Sequence, residues 1–218
     1  MKYFKRYLFL VLLILINATA VAMMIKAAVG VSAYDAFNLS ISQITNIKVG
    51  TIMIIVNSIL VLLQILMLKK DFTIRHLLQI AVSIVFGSVI NIVLDLTSDI
   101  EFTNYVLRFA IFLTSILIQS VAVGSMMLLD LVTLPLEGFL KTVSRFVKPS
   151  FVQLRQLADV FSILFSLAVT FLLKYPLNVR EGTVIGMLIF SPIMGKAMVA
   201  LEPKFIEWDL IDKPIKKW

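Results

Sequence analysis

Apolar residues run along this chain in long charge-free blocks, broken by short polar stretches. Residues 7–25, 49–68, 77–94 and 109–129 carry no charge at all, and shorter charge-free runs follow at 160–173 and 182–195. A helix needs about 20 apolar residues to cross a bilayer core. The pattern therefore predicts six transmembrane helices. Lipid offers no partner to the backbone, so spanning segments of this kind close their own hydrogen bonds as helices. The last two runs reach spanning length only by taking in charged neighbours: Arg155 and Asp159 for the fifth, Lys196 for the sixth.

Two polar breaks stand out. Gly30-Val31-Ser32-Ala33-Tyr34-Asp35-Ala36-Phe37-Asn38 separates the first two blocks, and Leu131-Val132-Thr133-Leu134-Pro135-Leu136-Glu137-Gly138-Phe139 follows the fourth. An offset of 102 positions pairs Asp35 with Glu137, Phe37 with Phe139, Asn57 with Asp159 and Ala33 with Pro135. Three further residues of offset pair Arg75 with Arg180. The order is the same in both halves: long helix, polar break, helix, basic turn, helix. The expected fold is an all-α integral membrane protein, six spans arranged as an inverted 3+3 repeat. A short helix or polar break follows helices one and four. Repeat one covers about residues 7–97 and repeat two about 104–201, in one membrane domain over residues 1–201. An odd number of spans per repeat turns the second repeat over in the membrane, the plan of many secondary transporters.

Composition agrees with this class. Apolar residues make up 60% and charged residues 15%, with a mean hydropathy of +1.01; soluble domains hold roughly 45–50% and about 25%. The formal net charge of +7 sits in short connections. The N-terminus, the turn with Lys69, Lys70 and Arg75, and the turn with Lys141, Arg145 and Lys148 are basic, as is the tail with Lys204, Lys213, Lys216 and Lys217. The connection with Asp95, Asp99 and Glu101 is acidic. The excess of Lys and Arg on alternate connections places both termini in the cytoplasm. Lys2, Lys5 and Arg6 ahead of an apolar run also suit a signal peptide, with Ala18-Thr19-Ala20 as a cleavage-type site. The run exceeds the usual h-region of about 7–15 residues, which favours an uncleaved first helix. Residues 202–218, with Phe205, Trp208, Ile211 and Trp218, read as a cytoplasmic tail at the interface or in solvent.

Met24-Ile25-Lys26-Ala27-Ala28-Val29-Gly30-Val31-Ser32-Ala33-Tyr34-Asp35-Ala36-Phe37 resembles the signature of the YczE/YyaS/YitT family of bacterial membrane proteins. Val49-Gly50-Thr51, Glu181-Gly182-Thr183, Ile185-Gly186 and Ser191-Pro192 are similar to its further Gly-Thr and Gly-Pro elements. Tyr34 stands where that family often has Trp, and Leu136-Glu137 where it often has Arg-Asp. The resemblance implies a multi-pass protein of the bacterial inner membrane, without a settled activity.

Lys26, Ser32, Asp35, Asn57, Glu137, Arg155 and Asp159 are the candidate substrate-binding residues. Ser32-x-x-Asp35 reads as a capping-box variant. It caps an ordinary short helix, or it opens a half-helix whose N-terminus points inward and, with Lys26, receives an anion. Lys26 equally suits snorkelling to the surface. Thr133 and Pro135 play the cap and first-turn parts for Glu137. Arg155 and Asp159, four apart, share a helix face, with Asn57 facing them from the other half. Asn17, Gln64, Asn91, Gln119 and Ser120 suit hydrogen bonds between helices. Pro192 is expected to kink the sixth helix.

The chain has no Cys and one His, His76. No nucleophile–base set, P-loop or zinc motif is present, so the sequence predicts no enzyme, cofactor or metal site. Its partners are the bilayer and a small-molecule or ion substrate, not nucleic acid. A homo-oligomer or a partner membrane subunit stays open. Three functions remain: a small transporter, the substrate-binding subunit of a vitamin-type energy-coupling transporter, and a non-transporting scaffold that docks a cytoplasmic protein.

Overall fold

A computed structural model describes residues 2–212. Lys213, Lys216, Lys217 and Trp218 of the expected tail lie outside the described residues. Among the described residues there are eight α-helices and no strand: α1 (Lys2–Ala27), α2 (Ala33–Thr45), α3 (Val49–Leu68), α4 (Ile74–Leu96), α5 (Tyr105–Leu129), α6 (Pro135–Val143), α7 (Phe151–Leu173) and α8 (Glu181–Glu207). A short 3-10 turn, Lys69–Asp71, links α3 to α4. Six helices are long and apolar enough to cross a membrane, as expected of a multi-pass membrane protein: α1, α3, α4, α5, α7 and α8. The two short helices, α2 and α6, fill the two polar breaks.

Local sequence sets the helix ends. Asn104 Oδ1 accepts from the N–H groups of Val106 and Leu107 and starts α5. Ser150 and Gln153 form a capping box at α7, and Thr73 and His76 do the same at α4. His76 therefore has a structural task. Asn46 and Asp130 take left-handed backbone at the ends of α2 and α5, a conformation their short polar side chains tolerate. The fifth and sixth spans do take in their charged neighbours: α7 includes Arg155 and Asp159, and α8 includes Lys196.

Helix α1 is the central rod. It packs against α4 and α5, and α5 packs against α8. Its middle, Ala18, Val21 and Ala22, lies on Val49, Met53 and Ile90. Leu10, Leu13 and Ile14 join Leu128 and Leu129 of α5 at one end. Phe205, Leu210 and Ile211 complete that cluster. The domain boundary expected at residue 201 therefore falls inside α8, and the described part of the tail folds back onto the bundle. Its apolar residues gain more by joining the core than by lying at an interface. Helix α7 joins the bundle through α2 and α6, and α7 and α8 do not pack along one another.

The α3–α4 pair crosses at close range. Gly50 and Gly87 meet backbone to backbone, and a Cβ on either would run into the other's carbonyl. Asn91 locks the crossing: its Oδ1 accepts from Gly50 N–H at 2.8 Å and its Nδ2 donates to Thr51 Oγ1 at 3.0 Å. Small residues permit such approach, and packing rather than hydrophobicity then holds the helices in lipid. A Cβ at Gly195 in α8 meets nothing within 4 Å. Gly87→Ala is expected to destabilise the detergent-solubilised protein by about 1–3 kcal/mol through overpacking. Gly195→Ala should stabilise it by roughly 0.5–1 kcal/mol through helix propensity. Thermal unfolding of both variants checks the opposite signs.

Candidate functional site

Helix α2 does not lie on the surface. The segment after α1 runs inward, and α2 then climbs back to the end of the bundle it left. At its start, Asp35 lies near enough to Gln119 for that amide to act on its carboxylate, and Tyr34 Oη donates to Asn57 Oδ1 at 2.8 Å. Gln119 and Asn57 lie near the middles of α5 and α3. One turn on, the Phe37 ring packs on Phe161 and Phe165 of α7, with centroids 6.0 and 4.8 Å away. Ser40 Oγ then meets Ser166 Oγ at 2.8 Å, and Gln43 exchanges hydrogen bonds with Asn178 beyond the end of α7. This ladder of partners gives α2 its depth: N-terminus midway, C-terminus at the edge.

Ser32 is the cap that the sequence predicts. Its Oγ accepts from Asp35 N–H at 3.2 Å and donates to Asp35 Oδ2 at 2.6 Å. Asp35 is 5% exposed and sits in the first turn, where a carboxylate complements the positive end of the helix. Asn38 is wholly buried one turn later, with Nδ2 donating to Tyr34 C=O at 2.7 Å.

The second break is shallower. Gln64 Nε2 donates to Pro135 C=O at 3.4 Å, and Gly138 packs against the amides of Gln64 and Gln79. Both glutamines lie nearer the ends of their helices than the middles. Pro135 takes the first helical position, as expected. Thr133 is not the cap: Leu134 occupies that position and supplies no side-chain bond. The helix starts one residue later than a Thr133 cap requires, and Pro135 needs no partner for its missing N–H.

Glu137 in the first turn of α6 pairs with Arg155 of α7. Arg155 Nε also donates to Asp159 Oδ2 at 3.3 Å, the predicted four-residue pair. These side chains are about a fifth exposed, 26% for Arg155, 17% for Glu137 and 21% for Asp159. Arg155 and Glu137 are close enough to act electrostatically on both Asp35 and Tyr34. The structure thus brings Ser32, Asp35, Asn57, Glu137, Arg155 and Asp159 into one polar region between the short helices. One guanidinium there pairs with two carboxylates, Glu137 and Asp159, and acts on a third, Asp35.

Lys26 is not part of that region. Its Nζ donates to Ser98 C=O at 3.0 Å, at the end of α1. Of the two readings of Lys26, this placement suits the one that sends it to the surface, and a cation in the last turn of α1 complements the negative helix end. Sequence reasoning had no binding role for Tyr34 or Asn38, and read Gln119 first as a bond between helices. The signal was present for Gln119, a lone amide in a charge-free span, but its neighbour Asp35 comes from a turn 84 positions away.

These features define a helical membrane protein with two broken segments and a buried polar region where they approach. The chain belongs to DUF6198, a family of unknown function, whose model matches residues 4–198. No curated protein matches it, and no solved structure does.

Removing Arg155 leaves Glu137 and Asp159 facing each other without a cation. A fully buried pair broken this way costs about 3–5 kcal/mol, and the partial exposure here lowers that to roughly 1–3 kcal/mol. Arg155→Met should lower stability by that amount. In a double-mutant cycle with Glu137→Gln the two effects should be non-additive by about 1 kcal/mol or more. Additive effects by thermal or denaturant unfolding would mean that the pair is not coupled.

Proposed function

We propose that this protein is a small transporter of the bacterial cell membrane, with its solute site between two inverted repeats. One observation carries the reading: the first-turn carboxylates of two half-length helices, Asp35 and Glu137, approach a shared polar region that also holds Arg155. Half-helices whose N-termini end among the spans, close to ionisable residues, are how many secondary transporters build a solute site. Ionisable groups among membrane spans are costly and serve function by default.

Helix positions support the repeat. Ala27 and Leu129 end α1 and α5, Ala33 and Pro135 start α2 and α6, and Val49 and Phe151 start α3 and α7, each pair 102 positions apart. The same offset relates Asn17 to Gln119 and Asn57 to Asp159. Ser40 Oγ donates to Ala36 C=O at 2.8 Å, and Thr142 Oγ1 repeats this toward Gly138 C=O at 2.9 Å. The packing of α1 on α4 is mirrored by α5 on α8, and that of α2 on α7 by α6 on α3. Three spans per repeat then invert the second. On this reading both termini are cytoplasmic, and the resemblance to the YczE/YyaS/YitT family stands as a proposed kinship.

Two experiments test it. The chain has no native cysteine. A membrane-impermeant thiol reagent should label Asp99→Cys in intact cells, and Lys70→Cys and Lys148→Cys only after lysis; the converse pattern reverses the orientation. A thermal-shift screen of purified protein against metabolites should yield a stabilising solute. Arg155→Gln should lose at least about tenfold in affinity for it, a difference of about 1.4 kcal/mol. An unchanged response in that variant removes Arg155 from the site.

A further inference from the structure

Three buried amide oxygens accept no hydrogen bond among the described residues: Asn17 Oδ1, Asn38 Oδ1 and Gln119 Oε1. Two of them stand beside Asp35. Gln119, 8% exposed, reaches from α5 to the neighbourhood of the Asp35 carboxylate, on which its amide acts. Asn38, wholly buried, lies one turn after Asp35 on the same face of α2, and its Nδ2 is taken by Tyr34 C=O.

Asp35 has no cation within ion-pair distance among the described residues; Arg155 is committed to Glu137 and Asp159. The residue 102 positions before Arg155 is Met53, buried and apolar, so the first half carries no guanidinium of its own. One buried carboxylate thus has a vacant acceptor oxygen one turn along its own helix and another on the amide that reaches it from α5.

We propose that Asp35, Asn38 and Gln119 bind a small monovalent metal cation of the Na⁺ class between α2 and α5. A single carboxylate balances a single charge, and neutral amide oxygens are the hard ligands that replace lost water. A proton on Asp35 would engage at most one of the two amide oxygens and leave the other bare. A coupling role for the ion rests on the transporter reading; its binding does not.

The test uses full-length protein in detergent at constant pH and ionic strength, with NaCl exchanged for choline chloride, and equilibrium binding of radioactive Na⁺ beside it. NaCl should raise the melting temperature saturably, and Asp35→Asn should abolish both signals. Should that variant fail to fold, Gln119→Met and Asn38→Leu decide: each should raise the half-saturating Na⁺ concentration about tenfold. Equal melting in Na⁺ and choline, or Na⁺ binding unchanged in those two variants, overturns the site. So does a response to pH alone, which would mean protonation of Asp35 in the field of Tyr34, Glu137 and Arg155. Na⁺ binding with no stabilising solute leaves the cation site standing and removes the transporter; a solute that binds with no Na⁺ response does the reverse.

Discussion

Non-helical backbone inside an apolar bundle has to find hydrogen-bond partners, and the stretch between α1 and α2 shows how this chain does it. Arg108 donates from Nε to Ala27 C=O at 2.6 Å and from Nη2 to Ala28 C=O, and Arg180 Nη1 donates to Ala28 C=O at 2.8 Å. Gly182 N–H reaches Val29 C=O at 3.1 Å, and Val31 N–H reaches Thr183 Oγ1 at 3.3 Å. Gly30, at φ +145°, lies directly on the Gly182–Thr183 backbone, where a Cβ has no room. The start of α8 is therefore a clamp for the extended segment. Without it the unpaired groups would each cost about 1–3 kcal/mol, and the first turn of α2 would have no route to the middle of the bundle.

From that clamp follows the different character of the two carboxylates. Asp35 is carried deep, is capped by Ser32 and meets neutral amides. Glu137 enters less far, stays partly exposed and meets a guanidinium. A charge at the centre of a membrane helix costs about 2.5–3.5 kcal/mol on insertion scales. The second half offsets that with Arg155. The first half relies on the Ser32 hydroxyl, the Gln119 amide and the positive end of α2, worth up to about 2 kcal/mol in partly buried geometry.

The spans were legible because the lipid-crossing requirement writes itself as charge-free length. The two breaks were legible because Ser32, Asp35, Pro135 and Glu137 are helix-start residues set between such runs. The Arg155–Asp159 pair followed from spacing alone. Depth was not legible: whether Ser32 caps a surface helix or an inward one depends on Gly182 and Thr183, some 150 positions away, which no local pattern connects. The same limit left both readings of Lys26 open, since its partner Ser98 comes from the turn after α4. It also hid the Glu137–Arg155 pair, since residues on separate helices carry no shared periodicity. The packing of the residues after 201 was not legible for another reason. Phe205, Leu210 and Ile211 are too few to look like a span, yet enough to fill one end of the core.

The two halves differ most in their last helix pair. Gly50, Gly87 and Asn91 bind α3 to α4 over a backbone contact, whereas α7 and α8 have no such crossing and Gly195 faces open space. Helix α7 is instead held by Phe37 and Ser40 of α2 and by Glu137 of α6, that is, by the two short helices themselves. Its position is thereby tied to the polar region. The glycine crossing keeps α3 and α4 together, whereas the place of α7 depends on the two short helices and on the Glu137–Arg155 pair. The packing is therefore unequal: α1, α4 and α5 share one continuous core, and α7 is attached to it through α2 and α6.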